Sequence, residues 1–327
     1  MRYNRYNVPV RRPLPRGLLG LAVIAVGLVT LTPAHGGVFS GDNGKIAFTC
    51  ATDICTINPD GSSRATLLAG ASDPSWSSDE SKIAYVSASS IWVANANGTS
   101  PLSLGTASGS SQPTFSFQGD RVAFVRGGHI YTIQANGNGG ELPLTSSTAT
   151  DANPAYSPDG TKIAFARDSG SGFDIWTVNV STGVLHQVTN AAGDEVSPTW
   201  SPSGLTIVYS AGSTHELFAA GSSGSSIPTP TDLNVVGTEP AFSPDGSKIA
   251  FVPSGGGLSY MVAQASGAVT PIPNTAGASQ PDWQAVTAPS NQPPSSFTGP
   301  PVNVVYPSVN LSIGDSAPTV GDFLTAS

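Results

Sequence analysis

The stretch Glu239-Pro-Ala-Phe-Ser-Pro-Asp-Gly-Ser-Lys-Ile-Ala-Phe251 decides the fold. Its centre, Ser243 to Gly246, reads as a tight turn, because Pro and Asp set the turn and Gly takes the positive φ. The flanks read as two short strands. Shorter versions recur as Asp73-Pro-Ser-Trp-Ser77, Gln112-Pro-Thr-Phe-Ser116, Asn153-Pro-Ala-Tyr-Ser157, Ser197-Pro-Thr-Trp-Ser201 and Gln280-Pro-Asp-Trp283. The prolines stand at 74, 113, 154, 198, 240 and 281, spaced 39, 41, 44, 42 and 41 residues apart. A period of that length with four strand signals per unit predicts a β-propeller of six four-stranded blades.

Within each unit the first strand is Pro-x-aromatic-Ser. The second is Lys-Ile-Ala-Phe or a variant, at Lys45, Lys82, Arg121, Lys162, Thr206 and Lys248. The third, clearest at Asp174 to Asn179, leads in other units to Asn97-Gly98 or Asn136-Gly137 turns. The fourth is weaker, at Leu142 to Thr145 and Gln187 to Thr189. In the second strand Ile83 and Tyr85 project to one face and Ala84 to the other, so a large face meets a small one in the next sheet. Trp76, Phe115, Tyr156, Trp200, Phe242 and Trp283 are expected to form a ring of core contacts between blades. The run opens with second-strand residues at Lys45 and ends with the lone first strand around Trp283, which is expected to complete the first blade. Val38 to Asp42 also matches a first strand in register.

The repeated Pro-x-aromatic-Ser-Pro-Asp-Gly-x-Lys-Ile-Ala-Phe motif resembles the WD40-like, or PD40, repeat of TolB-type six-bladed propellers over Phe39 to Gln284. That resemblance implies a periplasmic protein that binds a partner, in TolB the peptidoglycan-associated lipoprotein, over the channel mouth. TolB carries an α/β domain before its propeller; no such segment is expected here.

Composition bounds the rest. Of 327 residues only 10% are charged, against the usual ~25%, which disfavours charged helical bundles. Arg2, Arg5, Arg11, Arg12 and Arg16 precede an apolar run from Leu18 to Leu31 and a small-residue exit at Pro33 to Gly36. Residues 1–36 therefore read as a secretory signal, too short to span a bilayer and cleaved near Gly36; a retained anchor is the alternative. Beyond it eight basic residues face 21 acidic ones, an excess that repels phosphate backbones, so no nucleic-acid partner is expected. The mature chain is expected to be a monomer in the periplasm, cell envelope or medium, with no membrane span. Residues 37–286 form the propeller, 287–301 a Pro/Ser-rich linker, and 302–327 the start of an Ig-like domain or a disordered tail.

Catalytic chemistry is sparse. There is no Gly-x-Ser-x-Gly elbow and no Asp-x-Asp-x-Asp-Gly loop, and His129, His186 and His215 stand in different blades. No cofactor or metal is expected. Cys50 and Cys55 flank a tight connection and in an oxidising compartment read as a disulfide, the alternative being a buried thiol pair. The loops entering the first strands end in Asp73, Gln112, Asn153, Ser197, Glu239 and Gln280, with Asp151, Asp194 and Glu195 upstream. Arg126 and Arg167 end second strands on the same side, beside Asp168. Together they predict an amide and carboxylate ring with two arginines at the channel mouth, binding an envelope or extracellular protein or peptide without catalysis. Two other classes stay open: a lyase or hydrolase using Asp194, Glu195 and Glu239 with Arg126 and Arg167, and a structural module of a larger surface protein.

Overall fold

The computed structural model describes residues 42–222, 227–263 and 268–286. The signal, linker and tail readings, and the first-strand match at 38–41, lie outside those residues. All described regular structure is β. Blade 1 holds β1 (Asp42–Cys50), β2 (Asp53–Ile57) and β3 (Ala65–Leu68), and blade 2 holds β4 (Ser72–Trp76), β5 (Lys82–Ser87), β6 (Ser90–Asn95) and β7 (Leu102–Ser103). Blade 3 is β8 (Ser110–Phe115), β9 (Arg121–Arg126), β10 (His129–Gln134) and β11 (Leu142–Pro143); blade 4 is β12 (Thr150–Tyr156), β13 (Lys162–Asp168), β14 (Phe173–Asn179) and β15 (Leu185–Gln187). Blade 5 begins with β16 (Glu195–Trp200), β17 (Thr206–Ala211) and β18 (Glu216–Gly221). Its fourth strand is the front half of β19 (Thr231–Phe242), whose rear half opens blade 6 before β20 (Lys248–Pro253), β21 (Leu258–Val262) and β22 (Val269–Ile272).

The last strand, β23 (Ala278–Val286), pairs antiparallel with β1, Asp42 opposite Val286 and Ile46 opposite Trp283, and so supplies blade 1 with its innermost strand. The innermost strands touch in a closed order, β4, β8, β12, β16, β19, β23 and back to β4. Closing the circle leaves no innermost edge for another chain to pair with.

Six apolar clusters hold the ring, one between each pair of adjacent blades. Trp76, Ile83 and Tyr85 pack on Ala47 and Ile54 of blade 1, while Ala84 faces the other way, onto Phe115, Val122 and Phe124 of blade 3. Tyr156, Ile163 and Phe165 meet Ala123 and Ile130, and Trp200, Ile207 and Tyr209 meet Ala155 and Ala164. Phe242, Ile249 and Phe251 meet Val208 and Leu217, and Trp283, Ile46 and Phe48 meet Ala241 and Ala250. The aromatic ring holds in every interface, and the large-face, small-face reading holds in five; between blades 5 and 6 Val208 stands where the other second strands carry alanine. An added methylene on a small face would overpack a sheet contact that has no slack.

The turns are built as the motif implies. Ser157 Oγ donates to Asp159 at 2.6 Å and accepts from Lys162 N–H at 2.9 Å, and Asp159 accepts from Thr161 N–H. Asp79 and Asp245 repeat the arrangement with Ser77 and Ser243. The fourth strands differ from expectation. They are short, and the two that were expected end two residues earlier, at Pro143 and Gln187, because a threonine ends each of four by accepting a third-strand N–H: Thr106 from Ile91, Thr145 from Ile130, Thr189 from Ile175 and Thr275 from Leu258, at 2.8 to 2.9 Å. Cys50 and Cys55 form a disulfide on one face of the β1–β2 hairpin, with Cα atoms 5.8 Å apart.

Candidate functional site at the inner ring

In every innermost strand two residues oppose one on its neighbour. Asp73 and Pro74 lie between the rungs Ser72 to Val86 and Ser75 to Ala84, leaving Tyr85 alone opposite them. Gln112, Asn153, Ser197, Glu239 and Gln280 with their prolines repeat this against Phe124, Phe165, Tyr209, Phe251 and Phe48. Such a bulge is where a strand interior accepts proline, which has no N–H for the ladder. All six residues before the prolines sit at φ between 53 and 58°. For a residue with a Cβ that backbone costs on the order of 1 kcal/mol, least for Asn and Asp, so something must offset it.

The offset is a belt of hydrogen bonds between blades. Gln112 N–H donates to Asp73 Oδ2 at 3.2 Å, Asn153 N–H to Gln112 Oε1 at 2.7 Å, Gln280 N–H to Glu239 Oε2, and Asp73 N–H to Gln280 Oε1 at 3.4 Å. Gln280 Nε2 donates back to Asp73 Oδ1, and Thr49 Oγ1 donates to Gln280 Oε1. A second belt lies two residues on. Asp282, Ser75, Thr114 and Thr199 accept the backbone N–H of Trp76, Phe115, Tyr156 and Phe242 in the next blade. Where that position is alanine, at Ala155 and Ala241, the next blade presents tryptophan, and the indole N–H of Trp200 or Trp283 reaches the alanine carbonyl at 3.0 or 3.1 Å.

These placements correct the expectation of solvated loop ends. Asp73, Gln112, Asn153, Ser197, Glu239 and Gln280 lie inside strands, between 1 and 8% exposed, and all but Ser197 join the belt. Burial pushes the Asp73 carboxyl up to about 7, with the Glu239 charge adding to the shift and hydrogen bonds from Gln112 and Gln280 opposing it. Burial likewise raises Asp282 far above the carboxylate range. Glu195 is buried against Tyr209, and burial raises both groups. Asn153 keeps its side-chain oxygen and nitrogen buried without a hydrogen-bond partner among the described residues.

The arginines do not join the ring either. Arg126 lies over the Tyr131 ring, 4.2 Å from its centroid, and pairs with Glu141 beside the outermost strand of blade 3. Arg167 is buried and grips Asp151 with two bonds, Nε to Oδ1 at 2.7 Å and a terminal nitrogen to Oδ2 at 2.9 Å. The constellation required for a lyase or hydrolase is therefore dispersed: Glu239 is in the belt, Glu195 faces Tyr209, and each arginine has its own acid. Asp194 is exposed and accepts Phe173 N–H at 3.0 Å.

What this end of the sheets presents to solvent is acidic. Asp168 and Asp194 flank the Gly170 and Gly172 loop, and Glu216 begins β18. The six remaining basic residues of the described chain are elsewhere: Lys45, Lys82, Arg121, Lys162 and Lys248 enter second strands from the opposite end, and Arg64 lies in the turn after β2. Among the described residues no group of three or more His, Cys, Asp or Glu is arranged to hold a metal ion, and no helix is long and apolar enough to cross a membrane.

Known proteins share this architecture. The Protein TolB homolog of Chlorobium chlorochromatii is 32% identical over 110 residues, 33% of this chain, and the chain spans about a quarter of that relative's length. The crystal structure of TolB from Acinetobacter baumannii superposes with a TM-score of 0.65 at 20% identity, covering 76% of this chain and 69% of that one. A chain of the nidogen/laminin complex gives 0.63 at 10% identity over 75% of this chain and 99% of its own, a likeness of fold alone. The family model for the TolB beta propeller domain, PD40, matches residues 38–287, and the chain belongs to that family.

Proposed function

We propose that this protein is an exported, non-enzymatic scaffold of the cell envelope that binds a protein or peptide partner over the channel mouth, at the end of the ring where the innermost strands begin. The observation that carries the reading is the allocation of charge. Both arginines at that end are already paired, to Glu141 and Asp151, while Asp168, Asp194 and Glu216 remain accessible. A partner segment that is basic, or polar without acids, meets complementary potential there. The belt of buried side chains keeps the frame rigid, and specificity resides in the loops above it.

The test is affinity capture from cell-envelope extract with the full chain beside an Asp168→Lys, Asp194→Lys, Glu216→Lys variant. These positions reach solvent, so the variant keeps its core. A protein retained by the parent and lost by the folded variant supports the reading and names the partner. Equal retention by both removes this face from consideration, and retention of nothing specific by either removes the scaffold reading.

A further inference from the structure

The two sulfurs of the Cys50 to Cys55 bridge have unlike surroundings. Cys55 lies in β2 between Phe48 of β1 and Thr66 of β3, its directly opposed neighbours. A disulfide sulfur carries no hydrogen and can only accept, so the Thr66 hydroxyl and Arg64 Nη2, each 4.0 Å from Cys55 Sγ, both donate to it. Arg64 is held from two sides: its Nη1 donates to the Asn274 carbonyl in the loop leaving blade 6 at 2.9 Å, and its guanidinium carbon lies 5.8 Å from the Phe48 ring centroid. Cys50 has Asp53 opposite it in β2 and Ala278 opposite it in β23, an acid and an apolar residue. It is also the last residue before the exposed Ala51-Thr52 turn, and at 8% exposure against 3% for Cys55 it is the sulfur nearer solvent.

We propose that this bridge is a thiol-exchange site with a fixed direction: an incoming thiolate attacks Cys50, and Cys55 is the leaving sulfur. In that step a bond forms between the incoming sulfur and Cys50 Sγ, the bond from Cys50 to Cys55 breaks, and its electron pair stays on Cys55 Sγ as thiolate. The cation and the hydroxyl already aimed at Cys55 stabilise that charge where it appears. Charge left on Cys50 would instead face Asp53. Exchange is faster when the leaving thiolate is the stabilised one and the attacked sulfur the accessible one, and here both conditions select the same direction. A second thiolate then attacks the partner's sulfur in the mixed disulfide, releasing Cys50, which takes a proton from water, and leaving the partner oxidised. The partner class is therefore a thiol reductant, either two thiols on one molecule or two copies of a monothiol. The pairing of Cys50 with the first residue of β23 puts the reaction at the mouth end of blade 1, but the chemistry needs no protein bound over the mouth.

The test treats the folded full chain with excess glutathione, quenches at intervals with iodoacetamide and maps both cysteines by mass spectrometry. Glutathione on Cys50 with alkylated Cys55 is expected to outnumber the reverse product by at least about fivefold, and a smaller excess or the reverse order overturns the proposal. In parallel, reduction by dithiothreitol is followed in the parent and in Arg64→Gln. The parent rate should rise in proportion to dithiothreitol, because the native bridge is attacked directly, and R64Q should slow it by at least about twofold. An Arg64 that only holds the hairpin together gives the opposite sign, since losing its contacts loosens the hairpin and speeds reduction. A parent rate that levels off at the rate of global unfolding, or an R64Q rate that falls by less or rises, overturns the proposal. Should R64Q fail to fold, the labelling of the two cysteines in the unaltered protein decides.

Discussion

Replacing Arg167 by methionine is the most direct test of how this end of the ring is held together. The guanidinium is 6% exposed, the Asp151 carboxylate 0%, and the two stand on directly opposed residues of β12 and β13. Methionine keeps much of the apolar stem that lies against Phe165 and Trp176, whose ring centroids are 5.2 and 5.8 Å from the guanidinium carbon. What is lost is the two-bond grip, and what remains is a buried charge with no counter-ion. Removing one partner of such a pair costs about 3–5 kcal/mol, whereas replacing both by apolar residues of similar volume is close to neutral. The expectation is that R167M unfolds in urea with about 4 kcal/mol less stability, and that Asp151→Leu added to it restores most of the loss. Tryptophan fluorescence, from Trp176 together with Trp76, Trp92, Trp200 and Trp283, reports the transition. A cost below about 1 kcal/mol for R167M, or no recovery in the double variant, would mean that the charge is hydrated and the enclosure argument is wrong.

Three further outcomes are expected. The turn carboxyls Asp79, Asp159 and Asp245 lie below the ordinary range because serine, threonine and backbone hydrogen bonds outweigh the opposing effect of burial; a depressed group loses its contribution as pH falls through its folded value. Asp73 acts oppositely, losing stability as pH rises from 3.8 to about 7, so urea midpoints should peak at roughly pH 4, and the triple Asn variant should lose the acid limb. Gly237→Ala places a methyl 2.3 Å from Phe251 Cδ2, at the point where β19 passes from blade 5 to blade 6, and should cost ~1–3 kcal/mol in the same assay; a neutral result means that β19 shifts freely there. Replacing Cys50 and Cys55 by alanine opens a loop of sequence separation 5 and should cost about 2 kcal/mol, compared by thermal melting with and without reductant; a parent insensitive to reductant contradicts this.

The fold was legible because it is written in local patterns repeated six times. Alternation in Lys82 to Tyr85, Ser-Pro-Asp-Gly at Ser157 and Ser243, and the recurring prolines each act within a few residues of themselves. The same prolines located the candidate ring but not its burial. A bulge is a property of two strands in register, and only the pairing of Ser72 and Ser75 with Val86 and Ala84 shows that Asp73 is turned into the ring. Lysine at Asp73, Glu195 or Glu239 would therefore break the frame rather than probe a surface. The partner of Arg126 lies 15 residues away on an outer flank, a pairing no spacing rule marks. The threonines that end fourth strands did leave a trace: Thr106 and Thr145 stand at one distance from Pro74 and Pro113, and Thr189 and Thr275 at another from Pro154 and Pro240.

The pairing of Asp42 with Val286 also fixes how the ring meets mechanical load. β1 departs from that rung and β23 arrives at it, so a pull on the flanking segments acts on one rung at a time. The ladder peels like a zipper instead of shearing, the weaker of the two directions for a β-pair. The Cys50 to Cys55 bridge ties β1 to β2 and does not cross this junction. Tension applied to both ends thus opens the circle into an arc before any blade is torn, whereas tension on one end alone loads blade 1 against its neighbours.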